Sequence, residues 1–104
     1  MKPVQPRAAA EVDVGNAFDH YWTQGGRPLA ERFLDAYDAA LVHIAEHPGT
    51  GSPRHARALR INKLRFWTLT HFPFSVFYVE QADHIDVLRV LHQTSDIPQH
   101  LHPQ

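Results

Sequence analysis

The first half of the chain has apolar residues at helical spacing. Four of them recur at positions i, i+4, i+7 and i+8, which lie on one face of a helix: Val14, Phe18, Tyr21 and Trp22. The pattern predicts a helix over about residues 8–24. The Gly25-Gly26 pair directly after it is a typical helix end.

A second helix is predicted to follow the two glycines. Pro28 stands where the first turn of a helix tolerates proline, and Pro48-Gly49 is expected to end the segment. The buried face of this helix is marked by Leu29, Phe33, Ala36, Ala40, Leu41 and Ile44. Two helices joined by a short glycine turn predict an antiparallel helical hairpin.

The second half of the chain has the character of β-strands. Three runs rich in β-branched and aromatic residues occupy residues 64–70, 74–79 and 85–92. Pro73 separates the first two runs, and a polar loop of hairpin length separates the last two. Such short connections predict an antiparallel meander. Val4 and Gln5 are a candidate edge strand, because Pro6 would not fit a central one.

The middle run is apolar on both sides. Alternation along a strand places Phe74, Val76 and Tyr78 on one face. It places Ser75, Phe77 and Val79 on the opposite face. This predicts a central strand that is covered on both faces. The aromatic residues of this region are therefore expected to be core in preference to a platform that stacks RNA bases.

Together these elements predict an α+β fold, in which an N-terminal antiparallel helical hairpin packs on a small antiparallel β-sheet. With 104 residues, 43% hydrophobic and 20% charged, the chain is expected to form a single domain over residues 1–104. The absence of cysteine excludes disulfides and thiolate chemistry. The N-terminus lacks the apolar run of a signal peptide, and no stretch reaches about 18 consecutive apolar residues. We expect a cytoplasmic protein with no membrane partner.

Charge is divided between the two halves, although the net charge is only −1. Residues 8–47 hold seven acidic residues and two arginines, whereas residues 48–79 hold no acidic residue. Five cations fall within a short span of the second stretch: Arg54, Arg57, Arg60, Lys63 and Arg65. A basic surface of this kind suits a nucleic acid or an acidic peptide. The alternative is a solvated loop whose charge balances that of the helices.

One motif has the form of a metal site. Residues 43–47 spell H-x-x-E-H, in which two histidines one helical turn apart bind zinc and the glutamate activates water. The predicted helix ends at Pro48, however, and no later helix supplies a third ligand. We interpret the match as accidental, so neither a metal nor another cofactor is expected.

Short segments spread along the chain form an ordered set. In sequence they are Pro6-Arg7-Ala8, Asp13, Tyr21, Gly26, Ala30-Glu31-Arg32-Phe33, His47-Pro48, Gly51-Ser52-Pro53-Arg54, Leu64-Arg65-Phe66-Trp67, Phe72-Pro73-Phe74, Val76-Phe77-Tyr78, Val87-Leu88-Arg89-Val90-Leu91-His92 and Asp96-Ile97-Pro98. This set resembles the RelE/ParE superfamily of toxins from type II toxin-antitoxin modules, and its ParE-like members in particular. The resemblance covers nearly the whole chain and implies the helix-and-meander fold.

The resemblance implies one of two activities. ParE-like members bind DNA gyrase and block replication without chemistry of their own, whereas RelE-like members cut messenger RNA on the ribosome. Both imply a cognate antitoxin with a disordered segment that folds onto the toxin. Members often carry basic residues where this chain has His71 and Thr94-Ser95. A degenerate toxin that retains only antitoxin binding is therefore a third alternative.

An RNA-cleaving member would need an acid, a base and cations for the phosphorane charge. The candidates are Arg65, His71, Arg89 and His92. Arg89 and His92 are an odd number of residues apart, so they project to opposite faces of a regular strand. Arg65 and His71 would lie roughly 20 Å apart along an extended strand. No catalytic residue is therefore expected, and the ParE-like hypothesis is favoured.

In that hypothesis the chain acts by binding alone. The residues expected to bind the target or the antitoxin are Arg54, Arg57, Arg60, Lys63, Arg65, Trp67 and Arg89. The expected partners are an antitoxin and DNA gyrase, with the ribosome and messenger RNA as the alternative target.

Overall fold

A computed structural model describes residues 1–101, in which a four-stranded sheet has the strand order β1-β4-β3-β2. The strands are β1 (Val4–Pro6), β2 (Leu64–Thr68), β3 (Phe74–Glu80) and β4 (Ile85–His92). The predicted antiparallel meander of β2, β3 and β4 is confirmed. The expected edge strand is also confirmed, but β1 pairs in parallel with β4, so the sheet is mixed.

The long helical part of the chain is a single run, α1 (Ala8–Glu46), with a break at Gly26. Gly26 has φ 71° and ψ −165°, a conformation that residues with side chains rarely adopt. The rings of Tyr21 and Phe33 lie 5.3 Å apart across the break, although twelve residues of straight helix would span about 18 Å. The chain therefore turns sharply at the predicted place, but the hairpin of two separate helices is not confirmed in that form.

Two short helices and a 3₁₀ turn were not predicted. The turn covers Pro48–Thr50, α2 covers Ala56–Leu59 and α3 covers Ile97–His100. Helices of one turn contain too few residues to display an apolar period, so sequence analysis missed them. Within residues 1–101, no helix is both long and apolar enough to cross a membrane.

The sheet is covered on both faces, as the pattern of the middle strand predicted. On one face, α1 packs its buried residues against the sheet, in a cluster that includes Phe33, Tyr37, Ile44, Val76, Tyr78 and Val87. On the other face, the segment around α2 and the end of α3 supply a second cluster, which includes Leu59, Ile61, Phe77, Leu88, Leu91 and Leu101. Both faces of β3 are therefore core.

Trp22 departs from the predicted buried face of the first helical segment. It is 49% exposed and contacts Phe18, with ring centroids 5.7 Å apart. Tyr21 instead points into the core, where its ring lies 5.0 Å from that of Phe72. At about 100° per residue, Tyr21 lies roughly 20° from Val14 around the helix axis, whereas Trp22 lies roughly 80° away, at the margin of the apolar face.

A β-bulge in β4 changes which residues face the helix. Tyr78 pairs with Val87, but Phe77 pairs with Arg89, so Leu88 is the extra residue. Val87 and Val90 consequently lie in the same core cluster although they are an odd number apart. Simple alternation from the start of the strand would have placed them on opposite faces.

Tyr78 and Arg65 hold the turn that follows α1 against the sheet. The Tyr78 hydroxyl donates to the Pro48 carbonyl at 2.7 Å and accepts from the Gly51 N–H at 3.0 Å. Arg65 Nη1 donates to the Gly51 carbonyl at 2.7 Å. A Cβ at Gly51 would lie 2.9 Å from Tyr78 Cε1, so this close approach requires glycine.

Tyr37 gives a pH-dependent contribution to stability. Burial, with the negative charges of Asp38 and Glu11, raises the pKa of its hydroxyl to about 12, above the value of about 10 in an unfolded chain. Since the folded pKa is the higher one, the contribution is present below about pH 10 and is lost as the pH rises toward 12.

We therefore expect urea denaturation to show a steeper loss of stability for the wild type than for Tyr37→Phe between about pH 9.5 and 11. The phenylalanine variant keeps the ring but has no ionisable hydroxyl, so it is the matched control. Equal slopes for the two proteins would contradict this assignment.

Candidate functional site

Four of the predicted binding residues form a row of exposed cations at three-residue intervals. We call this set the basic row: Arg54, Arg57, Arg60 and Lys63. Within residues 1–101 none of the four forms an ion pair. Arg54 also lies over the ring of Phe66, with its Cζ atom 5.6 Å from the centroid. Among the residues that the structure describes, the row is therefore positive charge without an acidic partner.

The backbone beneath the basic row is fixed. Leu59 and Ile61 are buried in the second core cluster, at 8% and 3% exposure, so they anchor the segment from inside. The Leu59 N–H donates to the His55 carbonyl at 3.0 Å, and the Ile61 N–H donates to the Ala56 carbonyl at 3.1 Å. The cations are thus carried on ordered backbone.

Two members of the row sit on backbone that favours glycine. Arg60 has φ 56° and ends α2 in the left-handed conformation, and Lys63 has φ 65° just before β2. Residues other than glycine are uncommon in this left-handed region, and here both positions carry a charged side chain. Lys63 also lines a surface groove of about 870 Å³ with Lys2, Arg65 and Glu80. Lys2 pairs with Glu80 at 2.8 Å.

Three other predicted binding residues have structural partners. Arg65 is committed to the Gly51 carbonyl. Trp67 is half-buried and stacks on His43, with ring centroids 4.2 Å apart and planes 20° from parallel. Arg89 is engaged by Asp13. These three residues were predicted together with the exposed cations because a sequence shows the type of a residue but not its burial.

Arg89 forms a bidentate ion pair with Asp13 of α1. Its Nε and Nη2 atoms donate to the two carboxylate oxygens at 2.7 and 2.8 Å, and its Nη1 donates to the His100 carbonyl at 3.1 Å. Hydrogen bonding to Asp13 raises the pKa of Arg89. The Asp13 carboxylate also accepts from the Val90 N–H at 2.9 Å. One pair therefore joins α1, β4 and α3.

The four candidate nuclease side chains are distributed over the molecule. Arg65 faces the turn after α1, whereas His71 is exposed beside Arg32 in a different groove. Arg89 and His92 both line one groove of about 260 Å³, but the guanidinium of Arg89 is held there by Asp13. β1 pairs only with residues 85–87 of β4, so the edge of β4 is free at Arg89, whose side chain reaches Asp13. The alternation rule gives the face of a side chain and does not take a free edge into account.

His92 is held by the turn that follows β4. Its Nδ1 accepts a hydrogen bond from the Thr94 N–H at 3.1 Å and lies 2.8 Å from the Thr94 hydroxyl. The His92 carbonyl accepts from the Ser95 N–H at 2.9 Å. These contacts give His92 a structural part in closing the strand.

A small cavity that sequence analysis missed opens on the face of the sheet opposite α1. It has a volume of about 200 Å³, and its polar lining includes Arg54, His55, Thr68, Ser75 and His92. The hydroxyl oxygens of Thr68 and Ser75 lie 2.8 Å apart, and burial with the charge of Arg54 lowers the pKa of His55. The available signal was the two hydroxyl residues within otherwise apolar strands, but only the β2–β3 register pairs them.

The H-x-x-E-H segment contains a pair of adjacent histidines. The rings of His43 and His47 are 5.3 Å apart, and His43 Nε2 is buried with no hydrogen-bond partner among residues 1–101. In the part of the chain that the structure describes, no group of three or more histidine, cysteine, aspartate or glutamate side chains could hold a metal ion. The stacking of His43 on Trp67 is a packing role.

The comparisons with known proteins agree with this fold. A family model described as the ParE toxin of the type II toxin-antitoxin system, parDE, matches residues 4–97. Toxin ParE1 of Caulobacter vibrioides (strain ATCC 19089 / CIP 103742 / CB 15) is 30% identical over 101 residues, which cover 97% of this chain and 99% of the relative. The chromosomal ParDE TA system from P. aeruginosa shares the fold, with a TM-score of 0.73 at 21% identity over 88% of this chain and 96% of that chain.

The family match and the full-length relative define the class of this protein as a toxin of type II toxin-antitoxin systems. Within that class, the chain belongs to the ParE toxin family. The resemblance inferred from the ordered segments is thereby confirmed.

Proposed function

We propose that this ParE-family chain acts in the cytoplasm, as a single toxin domain, by binding DNA gyrase and blocking its supercoiling reaction. A cognate antitoxin neutralises it by folding a disordered segment onto its surface. Membership of the ParE family supports the toxin role, and a toxin made in its own cell requires such a partner.

The observation that carries the binding mechanism is the state of Arg65 and Arg89. Cleavage of RNA requires cations that stabilise charge as it develops on the phosphorane. Both guanidinium groups instead donate to acceptors of the chain itself, Gly51 and Asp13. His71 lies in a separate groove from these arginines. This arrangement favours binding over RNA cleavage.

The surface offered to the target or the antitoxin is the basic row. Arg54, Arg57, Arg60 and Lys63 are exposed and make no ion pair within residues 1–101. The other three predicted binding residues are engaged by the chain itself, since Arg65 donates to the Gly51 carbonyl, Trp67 stacks on His43 and Arg89 pairs with Asp13. Uncompensated surface charge steers association with a negatively charged partner.

We expect the purified protein to inhibit supercoiling by gyrase, or to trap the cleaved DNA complex, and to leave ribosome-bound messenger RNA intact. Gel assays of plasmid supercoiling and primer extension on translating ribosomes measure the two activities. Added antitoxin should restore supercoiling. His92→Ala should lower stability, since its contacts with Thr94 are lost, more than it lowers affinity for gyrase.

The opposite pattern would establish the nuclease alternative. In that case message cleavage would be present in the wild type and fall by about 10²–10⁴-fold in His92→Ala, with the fold retained. A protein that is inactive in both assays but still binds its antitoxin would be a degenerate toxin, and the gyrase proposal would be wrong.

A further inference from the structure

We propose that the basic row is a binding site for the phosphate backbone of duplex DNA. The inference deepens the proposed function, because the DNA bound to gyrase would be the strand that this surface contacts. Of the two kinds of partner proposed for this surface, the inference assigns the row to DNA and not to the antitoxin.

The first argument is the regular placement of the charges. Arg54, Arg57 and Arg60 stand at every third position of the segment around α2, and only Arg57 lies inside that helix. Lys63 extends the series at the same interval. A row of cations matches a polymer with one negative charge at every repeat, which is the chemistry of a phosphodiester chain.

The second argument is the type of cation. Three of the four members are arginine, whose planar guanidinium binds the oxygens of a phosphate in a bidentate manner. The residues of the row are exposed, and their backbone is held by buried Leu59 and Ile61. Little backbone order would have to be created on binding, so the charge is presented ready for contact.

The third argument separates DNA from an acidic peptide. A disordered segment that folds on binding must bury apolar surface to offset the entropy that it loses. The large apolar side chains that are exposed are Met1, Val12, Trp22 and Val42, and none of them lies in residues 53–63. The basic row offers charge without such an apolar surface, which suits a polyanion that is read by its backbone.

Within residues 1–101 no acidic side chain forms an ion pair with a member of the row. The sequence has no acid between residues 48 and 79, and Glu80, which lines the adjoining groove, is paired with Lys2. The acids of α1 lie on the helical layer, which packs on the other face of the sheet from α2. A DNA strand along the row would therefore meet uncompensated positive charge.

The test measures binding of antitoxin-free protein to a fluorescently labelled 20-base-pair duplex by anisotropy, at salt concentrations from about 50 to 200 mM. Four phosphate contacts predict a slope of log K against log salt of about −3.6, which is a loss of affinity of roughly 100-fold over that range. Arg57→Gln with Arg60→Gln should reduce the slope to about −1.8. The variant keeps two long side chains while it removes two charges.

Two controls isolate the row. Arg27→Gln with Arg32→Gln removes the same charge from α1 and should leave DNA affinity within about twofold of the wild type, because those residues lie outside the row. Arg57→Lys with Arg60→Lys should keep the salt slope. Thermal unfolding followed by circular dichroism verifies that each variant is folded before binding is compared.

The inference is overturned if the wild type does not bind the duplex at about 50 mM salt, or if both double glutamine variants lose affinity equally. It is also overturned if the row variant binds DNA normally but loses affinity for the antitoxin, which would assign the row to a protein partner. Gyrase inhibition is measured separately. Absence of DNA binding in a protein that still inhibits gyrase refutes only this inference, and DNA binding without gyrase inhibition refutes only the proposed function.

Discussion

Replacing Phe33 by alanine is expected to lower the free energy of unfolding by about 3–5 kcal/mol. Phe33 has 0% exposure and lies on the part of α1 that follows the break at Gly26. Its ring centroid is 5.3 Å from that of Tyr21 and 5.6 Å from those of Phe72 and Phe74. The substitution removes an aromatic side chain from a site where helix, loop and strand meet. Because the free energy of unfolding of a small protein is only about 5–15 kcal/mol, this loss is a large fraction of it.

Urea denaturation measures the effect of Phe33→Ala, with Trp22→Ala as the matched control. Trp22 is also aromatic and on α1, but it is 49% exposed. Its loss should cost less than about 1 kcal/mol, because much of its surface stays in water after folding. If the two variants were equally destabilised, the packing assigned to the parts of α1 before and after Gly26 would be wrong.

The second large effect is expected at Asp13. Asp13→Ala should cost about 3 kcal/mol of stability, because it leaves the guanidinium of Arg89 and the N–H of Val90 without their acceptor. The Asp13 side chain is only 12% exposed and that of Arg89 23%, so water replaces these bonds incompletely. The end of the chain should loosen as well, since Arg89 also holds the His100 carbonyl.

Amide hydrogen exchange at residues 90–101, together with urea denaturation, reports both consequences. Asp19→Ala is the control, because Asp19 is an exposed acid on the same helix and its side chain forms no ion pair within residues 1–101. It should change stability by less than about 0.5 kcal/mol. An Asp13→Ala protein with wild-type stability and exchange would show that the pair contributes nothing.

Much of the fold follows from local patterns that are visible in the sequence. The strands of the meander were found because Pro73 and the polar loop after β3 interrupt runs rich in β-branched and aromatic residues. Gly26 marked the break in α1 because a positive φ is a local requirement of one residue. Elements that lacked such a pattern, α2 and α3, were missed.

The candidate site was predicted less completely. The sequence identified a basic segment, and the structure places Arg54, Arg57, Arg60 and Lys63 of that segment at the surface. The sequence did not indicate that Arg65 donates to the Gly51 carbonyl or that Arg89 pairs with Asp13. Residue type reports the charge of a side chain, but its partner depends on residues that are up to 76 positions away.

The sequence by itself determined the class of the fold, the order of its strands along the chain, the family and the segregation of charge. The fold class and the strand order rest on periodicity and on single glycines and prolines, which act over a few neighbouring residues, whereas the family and the charge segregation rest on the order of residues along the sequence. Only the tertiary structure decided which cations remain exposed, how the bulge at Leu88 changes the faces of β4, and how Arg89 joins α1 to α3. The reason is that burial and ion pairing are set by contacts between distant segments, which exist only after the sheet has assembled.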